Sequence, residues 1–520
     1  MNTDLIIIGA GPGGYETAVR AAKAGLQVVV IEKEHLGGTC LNAGCIPTKC
    51  LCHEAEQPLS NSPEGESDRL REAIARKNEV VEKLKAGSAQ LMKTPGITLV
   101  EGEARFVDVH TVAVGEMVNG EWSNGKWEAP NIIIATGSVT KFLPIPGAHA
   151  EGVVTSTEML NLTTLPQRLA IIGGGVIGLE FASIFQSMGS QVTVIEFCKE
   201  VLPQFDRDLA KRLRTSLKKR GIEFHTSAAA KEIRRKEQGA GSKEQEKYNS
   251  EGEKQEIGVS SCPLPLAPYL EIDFEEKGKL QSVEADLVLM AVGRAANLDS
   301  LNLADVGIET TPRGIKVDEN MQTNVPGIYA IGDVNGLIQL AHAASAQGRV
   351  ALEHIRRERI VIGRPLGLRL QSEAGQEERR ERNVLDLQNS SQEANVSSLH
   401  SPLSTLLQII PSAVFTVPEA AMVGQTEEQL EEAGIEYQSH KAMYRANGKA
   451  LAMEAEDGLV KILTDTEGHI LGCHILGAHA SDLIHEVTLA MRLGATIHDI
   501  ADTVHAHPSL SEILLAAAEA

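Results

Sequence analysis

The chain has 520 residues, of which 42% are hydrophobic, so it is long enough for several domains with large apolar cores. This excludes an intrinsically disordered chain and a small disulfide-stabilised scaffold. Its 49 Lys and Arg are outnumbered by 70 Asp and Glu, giving a net charge of −21, which disfavours binding to nucleic acid or an anionic membrane. No window approaches the roughly 18 apolar residues of a membrane span, and no basic signal segment opens the sequence, so we expect a soluble cytoplasmic protein.

The first 32 residues have the pattern of a βαβ unit: an apolar strand, a glycine-rich turn, a helix and a second strand. Gly9, Gly11 and Gly14 have the G-x-G-x-x-G spacing that lets a helix N-terminus approach a pyrophosphate. Glu32 lies 18 residues after Gly14, where a carboxylate accepts hydrogen bonds from a ribose. Strand, turn, helix and acid together predict a dinucleotide site.

The same pattern returns 164 positions later (173 minus 9), with Gly173, Gly175 and Gly178 in the turn and Glu196 again 18 residues beyond it. An internal duplication of a nucleotide-binding fold is the simplest interpretation. The charge of Glu196 favours NAD over NADP, because it repels a 2′-phosphate. Two dinucleotide sites in one chain imply electron transfer between two cofactors, of which a flavin and a nicotinamide are the obvious pair.

Two cysteines, Cys40 and Cys45, follow closely after the first acid, in the segment GGTCLNAGCIPTK. A zinc site usually needs four ligands and closer spacing, and no second Cys pair is placed to complete one, so we expect no metal. A reversible disulfide is the favoured interpretation. Cysteines in the first turn of a helix are expected to have a lowered pKa and to react as thiolates.

Further along the chain, three apolar runs end in short polar segments and predict parallel strands that end at a ligand crevice: 131–135, 287–292 and 328–331. After residue 409 the pattern predicts a separate α+β domain with strands at 413–416, 458–463 and 470–476 and helices at 482–493 and 509–518. Three polar segments have the composition of solvated or disordered insertions: 53–68, 235–261 and 364–403.

At these motifs the chain resembles the FAD-dependent pyridine nucleotide–disulfide oxidoreductases. The resemblance is carried by residues 37–49, 135–138, 173–180, 291–294, 323–336, 340–348, 414–424 and 505–512. It implies an α/β protein with two Rossmann-like dinucleotide-binding domains and a C-terminal α+β dimerisation domain. The expected boundaries are 1–147 for the FAD domain, 148–283 for the NAD domain, 284–352 for a central domain completing the FAD site, and 353–520 for the dimerisation domain.

The resemblance also assigns roles to residues. Cys40 is expected to exchange with a dithiol substrate and Cys45 to face the flavin. Lys49, paired with Glu180, is expected near flavin N5, and Asp333 at the ribityl and phosphate part of FAD. The remaining residues expected at FAD are Thr39, Ala104, Thr136, Gly137 and Ala341, and those expected at NAD are Ala228 and Gly293.

The segment 505–512, HAHPSLSE, supplies the expected base. Oxidation of a dithiol requires a group that accepts protons near neutral pH, for which histidine is suited. The resemblance assigns this role to His507, the histidine before proline, and Glu512 is spaced to hydrogen-bond its ring. His505 is interpreted as a packing residue, and a His-x-His metal site has no third ligand nearby.

The activity implied is oxidation of protein-bound dihydrolipoamide to lipoamide, with NAD+ reduced to NADH through FAD. The implied partners are lipoyl domains of 2-oxoacid dehydrogenase or glycine cleavage complexes, and the implied assembly is a homodimer whose subunits complete each other's sites. Another disulfide reductase of the same family is the first alternative. A non-catalytic FAD-binding surface or assembly protein is an alternative of a different class.

Overall fold

The computed structural model describes residues 1–56, 63–118, 121–236, 269–361 and 409–520. Two compact units divide the chain. The first comprises residues 1–50, 75–139 and 294–520, and the second comprises residues 51–74 and 140–293. Within the described ranges, no helix is both long enough and apolar enough to cross a membrane.

Up to residue 236 the strands are β1 (Leu5–Ile8), β2 (Val28–Glu32), β3 (Ile97–Glu101), β4 (Ala104–Phe106), β5 (Thr111–Val114), β6 (Met117–Val118), β7 (Glu121–Trp122), β8 (Lys126–Glu128), β9 (Asn131–Ile134), β10 (Ser138–Thr140), β11 (Val153–Val154), β12 (Arg168–Ile172), β13 (Gln191–Glu196), β14 (Glu223–Thr226) and β15 (Ala228–Lys236). The helices of this part are α1 (Pro12–Lys23), α2 (Gly38–Ala43), α3 (Cys45–Ala55), α4 (Pro63–Leu91), α5 (Ser156–Met159), α6 (Val176–Ser187) and α7 (Arg207–Lys219).

From residue 269 the strands are β16 (Tyr269–Glu276), β17 (Lys279–Ala285), β18 (Leu287–Met290), β19 (Arg294–Ala296), β20 (Thr310–Thr311), β21 (Gly314–Ile315), β22 (Ile328–Ala330), β23 (Ser412–Val414), β24 (Ala420–Gly424), β25 (Gln438–Met443), β26 (Leu459–Thr464) and β27 (Ile470–Leu476). The helices are α8 (Ala341–Val361), α9 (Glu427–Ala433), α10 (Gly448–Ala452), α11 (Ala480–Leu493), α12 (Ile497–Ala501) and α13 (Glu512–Ala518), with 3₁₀ turns at Gly332–Asn335 and Tyr444–Ala446.

The first unit contains a five-stranded parallel sheet in the order β22-β9-β1-β2-β3. Its central strand β1 is the run LIII, and Leu5, Ile6 and Ile7 are fully buried. Such an apolar strand suits the middle of a parallel sheet, which is covered on both faces. The carboxyl ends of β1, β2, β9 and β22 therefore meet at one edge, which is the edge where α/β proteins bind ligands.

The second unit repeats this plan with a five-stranded parallel sheet in the order β11-β18-β12-β13-β14. An antiparallel three-stranded sheet, β15-β16-β17, accompanies it. The predicted duplication and the three predicted parallel strands are confirmed.

Residues 409–520 form the predicted α+β domain, with an antiparallel sheet in the order β23-β24-β27-β26-β25. Its core includes the buried side chains Val460, Ile462 and Ile475 from the sheet and Ile484 and Val487 from helix α11.

Two sequence expectations need correction. The last helix begins at Glu512 and not at Ser509, because the Ser509 N–H donates to the Glu512 carboxylate and residues 509–511 stay in the loop after Pro508. The segment 53–68 is not simply a loop, since helix α3 continues to Ala55 and helix α4 starts at Pro63. Proline is favoured at the first position of a helix, which agrees with the second start.

The rest of that segment, residues 57–62, lies outside the described residues. So do most of the predicted insertion 235–261 and all of 364–403.

The C-terminal sheet contains a buried ion pair that yields a stability prediction. Lys461 is fully buried on β26, and its ammonium lies 2.6 Å from the Glu427 carboxylate. Glu427→Leu should destabilise this domain by roughly 3 kcal/mol, because it leaves a buried charge without this partner. The double variant Glu427→Leu/Lys461→Met should recover most of the loss, as measured by amide hydrogen exchange in β26. If the single and the double variant were destabilised equally, the loss would not come from separating the Lys461 charge from Glu427.

Candidate active site

The first glycine turn is shaped for close backbone approach. Gly9 has φ +104°, and a Cβ there would lie 2.3 Å from the carbonyl oxygen of Ala135. A Cβ at Gly14 would lie 2.0 Å from the carbonyl oxygen of Gly9. Only glycine fits both positions, so the turn stays tight and the N-terminus of α1 faces the carboxyl edge of the sheet.

The second glycine turn has the same geometry. Gly173 has φ +110°, and a Cβ there would lie 2.4 Å from the carbonyl oxygen of Ala291. A Cβ at Gly178 would lie 2.0 Å from the carbonyl oxygen of Gly173. The duplication therefore extends from topology to the contacts that shape each turn.

The two predicted ribose-binding acids are held alike at the ends of β2 and β13. Glu32 accepts hydrogen bonds from the N–H groups of Ala10 (2.7 Å) and Glu34 (2.9 Å). Glu196 accepts from the N–H groups of Gly174 (2.5 Å) and Cys198 (2.6 Å). In both, one oxygen is tied to the glycine turn and the other to the residue two positions on, so the carboxylate is oriented before any ligand arrives.

The cysteine motif is docked on the first glycine turn. The Gly37 N–H donates to the carbonyl oxygen of Ala10 at 2.9 Å, and a Cβ at Gly38 would lie 2.8 Å from the Cα of Gly11. Helix α2 therefore begins against the turn, and it carries the exposed Thr39 and the half-buried Cys40. The structure thus brings the redox motif and the first dinucleotide site together.

Cys40 and Cys45 are present as two thiols that interact with each other. The hydrogen bond to Cys45, burial and the negative charge of Cys45 raise the pKa of Cys40 well above its ordinary value, while the Lys49 ammonium acts in the opposite direction. The expectation of a lowered pKa is therefore wrong for Cys40, because the second sulfur outweighs the helix terminus. Cys40 therefore holds its proton more tightly than an ordinary cysteine thiol does.

Lys49 follows Cys45 by four residues on α3, and its ammonium lies 4.5 Å from the centroid of the Phe415 ring. Phe415 belongs to the C-terminal domain and had no predicted role. Glu180, the predicted partner of Lys49, is buried in helix α6 of the second unit. The pairing of Lys49 with Glu180 stays a prediction.

Asp333 belongs to a cluster that the sequence analysis did not find. The Ser138 hydroxyl donates to its carboxylate at 2.5 Å, and Arg294 Nε donates to the same hydroxyl at 2.7 Å. Burial lowers the pKa of Arg294, opposed by the charges of Asp333 and Cys45. One half-buried guanidinium therefore acts on both the predicted FAD contact and the redox pair. The sequence feature that could have identified Arg294 is its position directly after a glycine at the end of a predicted strand.

The other predicted cofactor residues lie at turns and element starts along these edges. The Thr136 hydroxyl donates to the carbonyl oxygen of Asn297 at 2.8 Å, and the Asn297 N–H donates to the carbonyl oxygen of Gly137 at 2.9 Å. Gly175 is the N-cap residue of α6, and Gly293 has φ +106°. Ala104, Ala228 and Ala341 are the first residues of β4, β15 and α8, respectively.

On the NAD side, the Ser227 N–H donates to the carbonyl oxygen of Cys198 at 2.8 Å. This bond brings the start of β15, with Ala228, close to the loop that follows Glu196. Glu196 and Ala228, both expected at the NAD site, therefore lie at strand ends that this bond holds close together.

The C-terminal loop contains two His–Glu pairs of different character. His507 Nδ1 lies 2.9 Å from a Glu512 carboxylate oxygen, as its spacing predicted, and its side chain is 81% exposed. The Ser509 N–H and then His507 lower the pKa of Glu512, so this carboxylate stays ionised well below neutral pH. His505 Nε2 lies 2.9 Å from Glu486, but its side chain is only 4% exposed. Only His507 is open to a substrate.

These features fit FAD in the first unit and NAD in the second. The first site offers a glycine turn at a helix N-terminus, an oriented acid and a hydrogen-bonded Ser138–Asp333–Arg294 cluster whose arginine acts on the thiols. The second offers the same turn and acid without a thiol pair of this kind on its turn. The fit rests on the two glycine turns, where any added Cβ would clash with the backbone, and on the oriented polar groups beside them.

Comparison with known proteins agrees with this geometry. Residues 3–348 match the family model described as pyridine nucleotide-disulphide oxidoreductase, and residues 410–518 match the dimerisation domain of the same family. The chain therefore belongs to the pyridine nucleotide-disulphide oxidoreductase family, whose members are oxidoreductases that use FAD and a nicotinamide cofactor. The predicted family, fold class and cofactors are confirmed.

Several relatives that align with the chain over its full length are dihydrolipoyl dehydrogenases. The chain is 37% identical over 530 residues to dihydrolipoyl dehydrogenase of Bacillus subtilis (strain 168), covering 100% of this chain and 96% of that protein. It is 35% identical to the mitochondrial dihydrolipoyl dehydrogenase of Pisum sativum, covering 99% and 91%. Among solved structures, the Cu(II) complex of the HOCl-induced flavoprotein disulfide reductase RclA from Escherichia coli matches with a TM-score of 0.75, 28% identity and coverage of 100% and 99%.

The two glycine turns yield a paired prediction. Gly14→Ala should release FAD, because the added Cβ displaces the backbone of the first turn. Gly178→Ala should leave FAD in place and raise the KM for NAD+ by roughly tenfold or more, a loss of about 1.4 kcal/mol in binding. Flavin absorbance of the purified variants and steady-state kinetics measure the two effects. Equal loss of FAD in both variants would show that the turns do not serve separate cofactors.

Proposed function

We propose that this protein is a dihydrolipoyl dehydrogenase, which oxidises dihydrolipoyl groups to lipoyl groups and reduces NAD+ to NADH. The observation that carries the proposal is the interacting Cys40–Cys45 pair docked on the first glycine turn. The full-length relatives support the choice of substrate. The position of Glu196 supports NAD over NADP, because its carboxylate repels a 2′-phosphate.

Catalysis starts from the disulfide form of the Cys40–Cys45 pair. His507 accepts a proton from one substrate thiol, and the resulting thiolate attacks Cys40 Sγ, breaking the Cys40–Cys45 bond and releasing Cys45 as a thiolate. The second substrate thiol then attacks the substrate sulfur bound to Cys40, which breaks the mixed disulfide; its proton passes to the departing Cys40 sulfur, while the first proton stays on His507. The products are the cyclic substrate disulfide and two reduced cysteines, so the substrate loses two electrons and the enzyme disulfide gains them.

The residues around the reduced pair then hold its charge. Lys49 and Arg294 place positive charge near the pair, which favours the thiolate form. Gly9, Gly11, Gly14, Glu32 and Asp333 would hold FAD, and Gly173, Gly178 and Glu196 would hold NAD. When bound, these cofactors supply two-electron acceptance and hydride carriage.

His507 acts as the base because Glu512 orients its ring. We infer that this pair serves the Cys40–Cys45 site of a second copy in a homodimer. The matched dimerisation domain supports the assembly. So does a set of exposed apolar side chains near the His–Glu loop, Leu489 (60%), Leu493 (74%) and Val504 (95%), which a second copy would bury.

The proposed partners are lipoyl domains of 2-oxoacid dehydrogenase or glycine cleavage complexes. A dithiol on a mobile arm suits a site whose base is exposed and whose receiving cysteine is half-buried. The chain also resembles RclA, a flavoprotein disulfide reductase. The alternative outcome of the assays below is therefore that the substrate is a different disulfide.

The central test compares dihydrolipoamide oxidation with NAD+ and with NADP+, in the wild type and in Cys45→Ser. We expect wild-type turnover with NAD+ and at least about tenfold less efficiency with NADP+. Cys45→Ser should retain FAD and NADH oxidation with artificial acceptors but lose dihydrolipoamide turnover, because no disulfide forms. Normal turnover in this variant would refute the assigned role, and a wild type inactive with dihydrolipoamide would refute the proposed substrate.

A second test separates the two His–Glu pairs. His507→Gln should slow dithiol oxidation by roughly 10²–10⁴-fold, and His505→Gln should slow it far less. Glu512→Gln should also slow dithiol oxidation, but less than His507→Gln does, because it weakens the orientation of the ring and leaves the imidazole in place. The matched Glu486→Gln variant should leave the rate nearly unchanged. An effect under fivefold in His507→Gln would assign the base elsewhere.

A further inference from the structure

Phe415 connects the C-terminal domain to the redox helix. The Lys49 ammonium lies 4.5 Å from the ring centroid, within the roughly 6 Å over which a cation is attracted to an aromatic face. The two residues are 366 positions apart in the sequence (415 minus 49), so the contact exists only because the C-terminal sheet is placed beside helix α3 within the first unit.

The C-terminal core fixes the backbone on both sides of the ring. Val414, on β23, is fully buried and pairs with Ala420 on the neighbouring strand. Thr416 is 1% exposed, and its hydroxyl donates to the carbonyl oxygen of Pro418 at 2.7 Å. Phe415 is therefore a rigid contact for an ammonium on a flexible four-carbon stem.

The Phe415 ring contacts the Lys49 ammonium without adding net charge of its own. Beside two interacting sulfurs this matters, because added negative charge opposes thiolate formation. The groups that act electrostatically on the pair include Lys49 and Arg294, which favour negative charge, and the Tyr15 phenol, whose own pKa is raised first by burial and then by Glu16 and Cys40.

We propose that Phe415 is a positioning residue: it fixes the Lys49 ammonium beside the Cys40–Cys45 pair and so stabilises negative charge on the reduced pair and on bound flavin. The proposal rests on the redox function proposed above, but not on the identity of the dithiol substrate. It assigns to the C-terminal domain a role within its own subunit, separate from its role in dimerisation.

The test uses the FAD-loaded enzyme, reduced anaerobically with limiting NADH. The readout is the long-wavelength charge-transfer absorbance from a cysteine thiolate to the flavin, measured as a function of pH. Phe415→Leu, and likewise the ring-free Phe415→Met, should raise the apparent pKa of this signal by about half a unit or more, since Lys49 loses its fixed position. Phe415→Tyr keeps the ring and should match the wild type. FAD content and thermal midpoint verify that each variant is folded.

A double-mutant cycle decides whether Phe415 acts through Lys49. In a Lys49→Met background, Phe415→Leu should produce no further shift of the thiolate signal. A shift of equal size in both backgrounds would overturn the proposal, as would wild-type behaviour of both ring-free variants. If the wild type fails to oxidise dihydrolipoamide while the cycle behaves as expected, the proposed substrate fails and the role of Phe415 stands.

Discussion

The close approach of helix α2 to the first glycine turn is the constraint on which the candidate site depends. Gly37 donates to the backbone of the turn, and no side chain fits between Gly38 and Gly11. Because the turn also lies against the end of β9, a single backbone arrangement places the cysteine pair at the carboxyl edge of a parallel sheet. A thiol pair away from both glycine turns would have no dinucleotide site beside it.

The same nucleotide-binding plan serves two purposes in one chain. Both units hold a carboxylate by two backbone N–H groups and shape a turn by the same two glycine contacts. The first copy adds the cysteine motif and the Ser138–Asp333–Arg294 cluster, whereas the second adds an antiparallel sheet whose strand β15 starts near the acid. The duplicated parts bind cofactors, and the added parts determine what each cofactor does.

The C-terminal domain contributes chemistry as well as surface. The His507 side chain is exposed, whereas the imidazole of the similar His505–Glu486 pair is buried. Burial, rather than residue type, separates a candidate base from a structural histidine. Phe415 extends the contribution of the domain to the redox helix of its own chain.

The sequence alone determined the two βαβ units, because buried parallel strands and glycine turns have strong local patterns, and it placed the cysteine pair, the two acids and the His507–Glu512 spacing. Three features needed the tertiary structure: the raised pKa of Cys40, the Arg294 cluster and the Lys49–Phe415 contact. Each depends on groups brought together from separate segments or on the burial of a charge. Local periodicity reports which face of an element is apolar, but distances between remote side chains are set only when the whole chain packs.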